Sequence, residues 1–121
     1  MATPTAPNIL PVDATQTEAW KSLEAHYATL QSSKASLREW FEQDPQRVQN
    51  MSFELDQFLI DLSKNLATQE TLDLLCSLAK EVKLEERRDA MYAGEHINTT
   101  EDRAVLHTAL RRPASEAGTL I

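Results

Sequence analysis

The sequence has 121 residues and a formal net charge of −7, with acidic and basic residues interspersed, which fits one soluble domain and disfavours a nucleic-acid surface. Hydrophobic residues make up 41% and charged residues 26%, so the composition is that of a globular protein rather than a disordered tail. No apolar run approaches the ~20 residues that span a bilayer, and the N-terminus resembles no secretory signal, so we expect neither a membrane protein nor an exported one. Because Cys76 is the only cysteine, no internal disulfide can form, and a cytoplasmic location is expected.

Both ends of the chain lack a hydrophobic period. Residues 1–12 contain three prolines among small polar residues and predict a flexible lead-in. Residues 113–121 are equally unpatterned, and because Pro113 cannot continue a helix, we expect an irregular, truncated tail there. The organised part of the chain is therefore expected to be one segment over 13–112.

A capping box predicts the start of the first helix. The Thr15 hydroxyl can accept a hydrogen bond from the Glu18 amide while the Glu18 side chain reaches back. Apolar residues then recur at helical spacing along one stripe: Trp20, Leu23, Tyr27 and Leu30. We interpret this stripe as core rather than as a ligand-binding surface.

The next two predicted elements are short helices. Ser36 with Glu39 repeats the capping pattern at the start of an apolar stretch. Asp44 followed by Pro45 suits the N-cap and first-turn proline of one further helical turn.

The hydrophobic period then changes from that of a helix to that of a strand. Apolar and polar residues alternate over 51–55 and again over 58–62. Two such runs joined by Asp56 and Gln57 predict a β-hairpin. The turn residues are unfavourable, because a tight hairpin turn prefers Asn-Gly or Asp-Gly and glutamine resists positive φ.

Thr68 is predicted to cap a further helix, which runs to about Val82. Its inward residues recur at helical spacing: Leu72, Leu75, Leu78 or Ala79, and Val82. Because Leu74 and Cys76 widen the apolar face, we expect this helix to be buried on more than one side.

The remaining sequence predicts two further helices. One covers 84–93, with Gly94 at the position of a left-handed C-cap. The other opens at Asn98 or Thr99 and continues to Pro113. Together these elements predict an α+β fold that is mainly helical with one β-hairpin.

The side chains that could carry chemistry have simpler structural interpretations. Three scattered histidines and one cysteine offer no metal-ligand spacing. His107 lies in an apolar run and is interpreted as a hydrogen-bonded packing residue rather than a proton shuttle. Cys76, which has leucines on both sides of its helix, is interpreted as an inert apolar residue rather than a nucleophile. His26 falls at the margin of the first helix.

Charged residues crowd the predicted start of the last helix. Acidic side chains are expected there because they complement the helix dipole, so Glu101 and Asp102 are interpreted as solvated rather than as a catalytic pair. The residues alone therefore predict no catalytic, cofactor-binding or metal-binding site, and no cofactor.

One stretch carries a family resemblance. Residues 94–111 read Gly-Glu-His-Ile-Asn-Thr-Thr-Glu-Asp-Arg-Ala-Val-Leu-His-Thr-Ala-Leu-Arg. This run resembles the N-terminal signature of glucose-6-phosphate isomerases, Gly-Glu-Lys-Ile-Asn-x-Thr-Glu-x-Arg-Ala-Val-Leu-His-x-Ala-Leu-Arg, with His96 where the family more often has lysine. Further matches in the family's order and spacing precede it, in residues 19–20, 53–55, 59–65 and 68–72, so that the resemblance covers roughly 13–112.

The resemblance implies the N-terminal structural segment of a cytoplasmic α/β sugar-isomerase-type enzyme. The full-length enzymes interconvert glucose 6-phosphate and fructose 6-phosphate in glycolysis and gluconeogenesis. They are several times longer than this chain, and the glutamate, histidine, lysine and arginine that do the chemistry follow the matched region. This chain alone is therefore expected to be inactive, and Arg103 is expected to bond the body of the full enzyme rather than the substrate.

The implied partners are the remainder of the isomerase chain or a second copy, since the family is typically dimeric, with sugar phosphate bound only by the full enzyme. A free-standing helical protein-interaction module is the alternative that size and composition allow, although the length and order of the resemblance disfavour it. A small independent isomerase is disfavoured by the chemistry, because two glycines cannot build a Gly-rich phosphate cradle and no acid–base pair is apparent.

Overall fold

The computed structural model describes residues 10–116 of the chain. Within this range the elements are, in order, α1 Glu18–Ser32, α2 Leu37–Gln43, α3 Arg47–Asn50, β1 Ser52–Leu55, β2 Phe58–Asp61, α4 Gln69–Glu81 and α5 Leu84–Ala93. Short 3-10 turns lie at Ala14–Gln16, Ala109–Arg111 and Ala114–Glu116. The predicted α+β fold, mainly helical with one hairpin, is confirmed. Most of the predicted lead-in and tail lies outside the described residues.

Contacts divide the chain into two units. The first unit is Thr15–Leu78, and the second joins Ala79–Ile121 with the residues before Thr15. The first unit therefore contains α1 to β2 and most of α4, and the second contains α5 and the turns that follow it. Over the described range, the structure has no helix long and apolar enough to cross a membrane.

The start of α1 differs from the prediction by two residues. Thr15 lies in the 3-10 turn Ala14–Gln16, and the N-cap is Thr17, whose hydroxyl accepts a hydrogen bond from the Trp20 amide at 3.2 Å. Thr17 has the extended backbone of an N-cap, with φ −82° and ψ 154°. The prediction of a capping box at Thr15 was therefore wrong, because the preceding turn moves the first helical residue to Glu18.

The interpretation of the α1 stripe as core was also wrong. Trp20, Leu23 and Leu30 are only partly buried, and Tyr27 is exposed. The buried residues of α1 are instead Ala19 and His26. Helical spacing identified an apolar face correctly, but the sequence could not show whether another element covers that face.

The two short helices form where predicted, with different caps. Ser36 precedes α2 and has extended backbone, but its side chain makes no capping hydrogen bond. Asp44 does not cap α3, which begins at Arg47; its carboxylate instead accepts a hydrogen bond from the Gln46 amide at 2.9 Å. Asp44 thus forms a local turn ahead of the helix, as aspartate often does.

The predicted hairpin is confirmed. β1 and β2 pair antiparallel, with Phe53 opposite Ile60 and Leu55 opposite Phe58. Asp56 takes the left-handed conformation at φ 51°, while Gln57 is not among the residues with positive φ. The turn forms despite its unfavourable sequence because aspartate, and not glutamine, occupies the strained position.

Thr68 caps α4 as predicted, and the helix ends one residue before Val82. Its burial is lower than expected. None of its residues is fully buried; Leu75 is 47% exposed and Cys76 is exposed. The burial expected for this helix is therefore not made within the described residues, and Cys76, interpreted as an inert apolar residue, lies at the surface.

In the second unit, α5 ends as predicted at Gly94, which takes the left-handed conformation with φ 77°. The last predicted helix is absent from the described residues. Asn98 and Arg103 instead form an isolated antiparallel bridge, and Asp102 has a positive φ of 50°. Only the 3-10 turn Ala109–Arg111 is helical before Pro113. Asparagine, threonine and aspartate side chains bond locally in this turn and compete with helix formation.

Few hydrophobic side chains are buried in either unit. Among the described residues, the buried hydrophobic ones are Ala19, Met51 and Ala90, none of them a large aliphatic or aromatic residue apart from methionine. In the part of the chain that the structure describes, fifteen large hydrophobic residues are exposed, and Leu110 has the highest exposure among them, 88%. Much of the apolar surface of the described residues is therefore uncovered.

Candidate functional site

His26 is a buried packing residue rather than a marginal one. Its Nε2 lies 2.7 Å from the Thr71 hydroxyl, and its Nδ1 lies 3.4 Å from the Glu70 carboxylate. Glu70 is itself exposed, whereas the His26 side chain is 8% exposed. These two contacts therefore join α1 to the start of α4 and fix the imidazole at both nitrogens.

The remaining predicted candidates lie at the surface. His107 is exposed, so its interpretation as a packing residue was wrong, and its carbonyl accepts a hydrogen bond from Arg111. His96 lies 2.9 Å from Asp102, with both side chains exposed. Within residues 10–116, no group of three or more histidine, cysteine or acidic side chains is arranged to hold a metal ion.

Glu101, Asp102 and Arg103 do not stand at a helix start. Glu101 and Asp102 lie in the turn between the bridged residues Asn98 and Arg103, and Arg103 Nε is 3.9 Å from the Glu101 carboxylate. Exposed ion pairs of this kind stabilise a structure little. Nothing in this turn distinguishes a catalytic carboxylate from a solvated one.

The most highly organised polar group is Arg47, which sequence reasoning did not single out. The residue is 6% exposed, and its Nε donates to the Ser63 carbonyl at 2.9 Å. Its Nη2 donates to the carbonyls of Asn65 and Ala67, each at 3.0 Å. We call this arrangement the Arg47 clamp, since it holds the segment between β2 and α4.

Aromatic rings complete the clamp. The Arg47 guanidinium carbon lies 4.9 Å from the Trp40 ring centroid and 5.6 Å from that of Phe41, distances at which a cation and a ring face attract one another. The partners of the guanidinium are thus main-chain carbonyls and rings. No residue-type pattern could have revealed them, because carbonyls are present at every position.

A pocket of about 260 Å³ lies beside the clamp and is lined by Trp40, Gln43, Asp44, Arg47, Asn50, Met51, Thr68 and Gln69. A second pocket, of about 580 Å³, is lined by Tyr27, Leu30, Gln31, Lys34, Ala35 and Leu66. Proton transfer to a carbonyl substrate needs a titratable base within hydrogen-bond reach of the bound molecule. In the first pocket the Arg47 guanidinium is bound to three carbonyls and the Asp44 carboxylate accepts from the Gln46 amide of its own turn, so this pocket offers no titratable base that is free of a structural contact.

The Asp61 carboxylate also binds the segment between β2 and α4. Ser63 lowers the pKa of the Asp61 carboxyl through its side chain and its backbone amide, and the amide donates to Asp61 Oδ1 at 2.8 Å. The amide is the contact with clear hydrogen-bond geometry, because the buried Ser63 hydroxyl makes no hydrogen bond with the described residues. The carboxylate acts as a turn acceptor and not as an acid.

The hairpin carries the most distinctive exposed surface. Its register places four apolar side chains on one face, because residues i and i+2 of a strand point the same way: Phe53, Leu55, Phe58 and Ile60. Their exposed fractions are 43%, 65%, 72% and 44%. We call this surface the hairpin face. Contiguous exposed apolar patches mark interaction surfaces or ligand-binding grooves.

The comparisons with known proteins identify a family. The family model described as phosphoglucose isomerase matches residues 61–119. The glucose-6-phosphate isomerase of Bifidobacterium longum (strain NCC 2705) is 57% identical over 111 residues, covering 92% of this chain and 20% of that protein. The enzyme of the same name from Rhodococcus opacus (strain B4) is 55% identical over 102 residues, covering 84% of this chain and 18% of that protein.

A relative of lower identity gives a similar coverage. The glucose-6-phosphate isomerase of Corynebacterium kroppenstedtii is 48% identical over 105 residues, which are 87% of this chain and 18% of that protein. The chain thus spans about one fifth of the length of the curated relatives that it matches.

Proposed function

Since this chain belongs to the glucose-6-phosphate isomerase family and corresponds to the N-terminal fifth of its members, we propose that it is a structural segment of such an enzyme. In this role the segment over 13–112 supplies helices and a hairpin that contact the catalytic part. The chain alone does not catalyse the isomerisation. The observation that carries the proposal is an identity of 57% that extends over 92% of this chain but only 20% of the relative.

Exposure of the large apolar residues supports this role. A segment that folds against a larger body has apolar faces that remain uncovered when the body is absent. The exposed hairpin face and the exposed Leu75 of α4 are surfaces of that kind. A free-standing helical interaction module is less consistent with the comparisons, because the matched proteins are complete isomerases and not small modules.

The activity proposed for the full-length protein is the interconversion of glucose 6-phosphate and fructose 6-phosphate. Such an aldose–ketose isomerisation needs a base to move the C2 proton, an acid to open the ring and donors that hold the phosphate. The exposed or structurally committed side chains described above do not form that set. We propose that the following part of the enzyme supplies it, without a cofactor, in a cytoplasmic dimer.

Assays of purified proteins test whether catalysis requires both this segment and the rest of the enzyme. The full-length enzyme and the 121-residue chain are assayed side by side for fructose 6-phosphate formation from glucose 6-phosphate. We expect turnover by the full-length enzyme and none by the chain. A full-length protein lacking residues 13–112 serves as the complementary arm, and we expect no soluble, active enzyme from it. Turnover by the chain alone, or full activity without residues 13–112, would contradict the proposal.

A further inference from the structure

The two faces of the hairpin differ sharply in chemistry. The hairpin face consists of two cross-strand pairs, Phe53 with Ile60 and Leu55 with Phe58. The opposite face pairs Ser52 with Asp61 and Glu54 with Leu59. Leu59 is the one apolar residue of that face, and its exposed fraction of 69% is close to the 72% of Phe58. One face is therefore wholly apolar and the other mostly polar, although neither is covered.

A backbone hydrogen bond and the Arg47 clamp hold the base of the hairpin, so that the hairpin face has one orientation. The Leu62 amide donates to the Met51 carbonyl at 2.9 Å, and Met51 is 3% exposed. Directly after β2, the Arg47 clamp fixes the backbone from Ser63 to Ala67. The tip and the hairpin face have no comparable support, since among the described elements only the two strands pack extensively on each other.

A two-stranded hairpin with an uncovered apolar face is at best marginally stable in water. Three or more strands, or packing against another element, are needed to stabilise it. The sequence nevertheless has aromatic and branched residues at all four positions of the face. Such a face is expected to be covered in the functional protein.

We propose that the hairpin face is a docking surface for the C-terminal part of the full-length isomerase, while the face with Glu54 and Leu59 stays in contact with solvent. The inference rests on the proposed function and names the surface that carries it. The curated relatives are about five times as long as this chain, so ample polypeptide follows to cover the face. A second copy of this chain is a less suitable occupant, because each copy carries a net charge of −7 and the two repel.

Hydroxyl-radical footprinting read by mass spectrometry tests the proposal without altering the protein. Oxidation rates of Phe58 and Leu59 are measured in the full-length isomerase and in the 121-residue chain, diluted at low salt until light scattering shows monomers. Each residue is compared with itself, so differences in intrinsic reactivity cancel. We expect the Phe58 rate to fall about tenfold in the full-length protein, because an interface core excludes water, and the Leu59 rate to stay within about twofold.

Two substitutions in the full-length protein provide the matched control. Phe58→Asp places a charge in the proposed contact, and we expect it to abolish soluble active enzyme. Leu59→Asp places the same charge one residue further along the strand and is expected to leave solubility and turnover near those of the unsubstituted enzyme.

Three outcomes would overturn the inference. The first is equal protection of Phe58 and Leu59, and the second is no protection of Phe58 in an active enzyme. The third is protection that disappears when the full-length protein is diluted, because a second copy would then be the occupant of the hairpin face. An enzyme that is active without residues 13–112 would instead contradict the proposed function, so the two failures are distinguishable.

Discussion

Arg47 is a buried charged residue whose guanidinium binds main-chain carbonyls rather than a ligand. Its guanidinium donates to carbonyls at three positions of one short segment and stacks near two aromatic rings. A buried arginine is tolerable only when its donors are used, since desolvating an unpaired charge costs far more than a hydrogen bond returns. Arg47 thereby links α3, the exit of β2 and the entry of α4. These connections place the hairpin relative to the rest of the first unit.

Replacing Arg47 with methionine tests this role. Arg47→Met keeps most of the aliphatic volume but leaves the carbonyls of Ser63, Asn65 and Ala67 without their donor. We expect local stability to fall by about 3 kcal/mol, because a buried unsatisfied carbonyl such as that of Ser63 costs about 1–3 kcal/mol and two part-buried carbonyls lose their donor as well. In the full-length protein, hydrogen exchange of the Asn65 and Ala67 amides should accelerate on the order of 100-fold.

Arg38 provides the control for this substitution. It is exposed on α2, so Arg38→Met removes the same charge without removing the clamp. We expect a change of no more than about 0.5 kcal/mol, as is usual for surface substitutions. Equal acceleration of exchange in both variants would show that net charge, rather than the clamp, holds the segment.

At the scale of the element, α4 begins with a reciprocal cap made of two threonines. The Thr71 amide donates to the Thr68 hydroxyl at 3.3 Å, and the Thr68 amide donates to the Thr71 hydroxyl at 3.0 Å. Thr71 thus takes the position that glutamate or glutamine occupies in the usual capping box. His26 then contacts the same Thr71 hydroxyl, so that the start of α4 and the side of α1 are joined through one oxygen.

Removing the Thr68 hydroxyl should loosen this junction. We expect Thr68→Ala to destabilise the first turn of α4 by about 1 kcal/mol, the usual cost of losing an N-cap side chain. Thr68→Ser retains the hydroxyl and should restore most of the stability. Hydrogen exchange of the Thr71 amide in the full-length protein is the measurement. Identical exchange in the alanine and serine variants would mean that the hydroxyl contributes nothing to the cap.

At the scale of the whole molecule, the described residues bury little hydrophobic surface and expose much. Hydrophobic burial is the main favourable term in folding, at about 25 cal/mol per Å² of apolar surface. With Ala19, Met51 and Ala90 as the buried hydrophobic residues, the chain has little of this stabilisation. This small buried core supports the proposal that a further part of the protein covers the exposed apolar surfaces.

The isolated chain should accordingly behave as an incomplete protein. We expect it to bind a hydrophobic dye and to self-associate as salt is added, because salt screens the repulsion between copies that each carry −7. Light scattering across a salt series measures the association. Phe58→Lys should weaken it, whereas Gln57→Lys, which adds the same charge at the turn, should have a smaller effect. A compact monomer without dye binding at all salt concentrations would contradict this expectation.

Local chemistry within the sequence determined much of the fold. Alternation over 51–55 and 58–62 gave the hairpin, Thr68 gave the start of α4, and Gly94 gave the end of α5, because periodicity and backbone preference act over a few residues. The family could be recognised from residues 94–111, because a match of that length to a family signature identifies relatives without any structure.

Only the tertiary structure decided which apolar and polar groups have partners. The helix predicted after Asn98 fails because Asn98 pairs with Arg103 across a turn, and the α1 stripe stays partly exposed because no described element covers it. The Arg47 clamp depends on carbonyls 16 to 20 residues away, and His26 depends on Thr71, 45 residues away. Contacts over such separations arise from how the elements pack, and no local pattern of residue types encodes them.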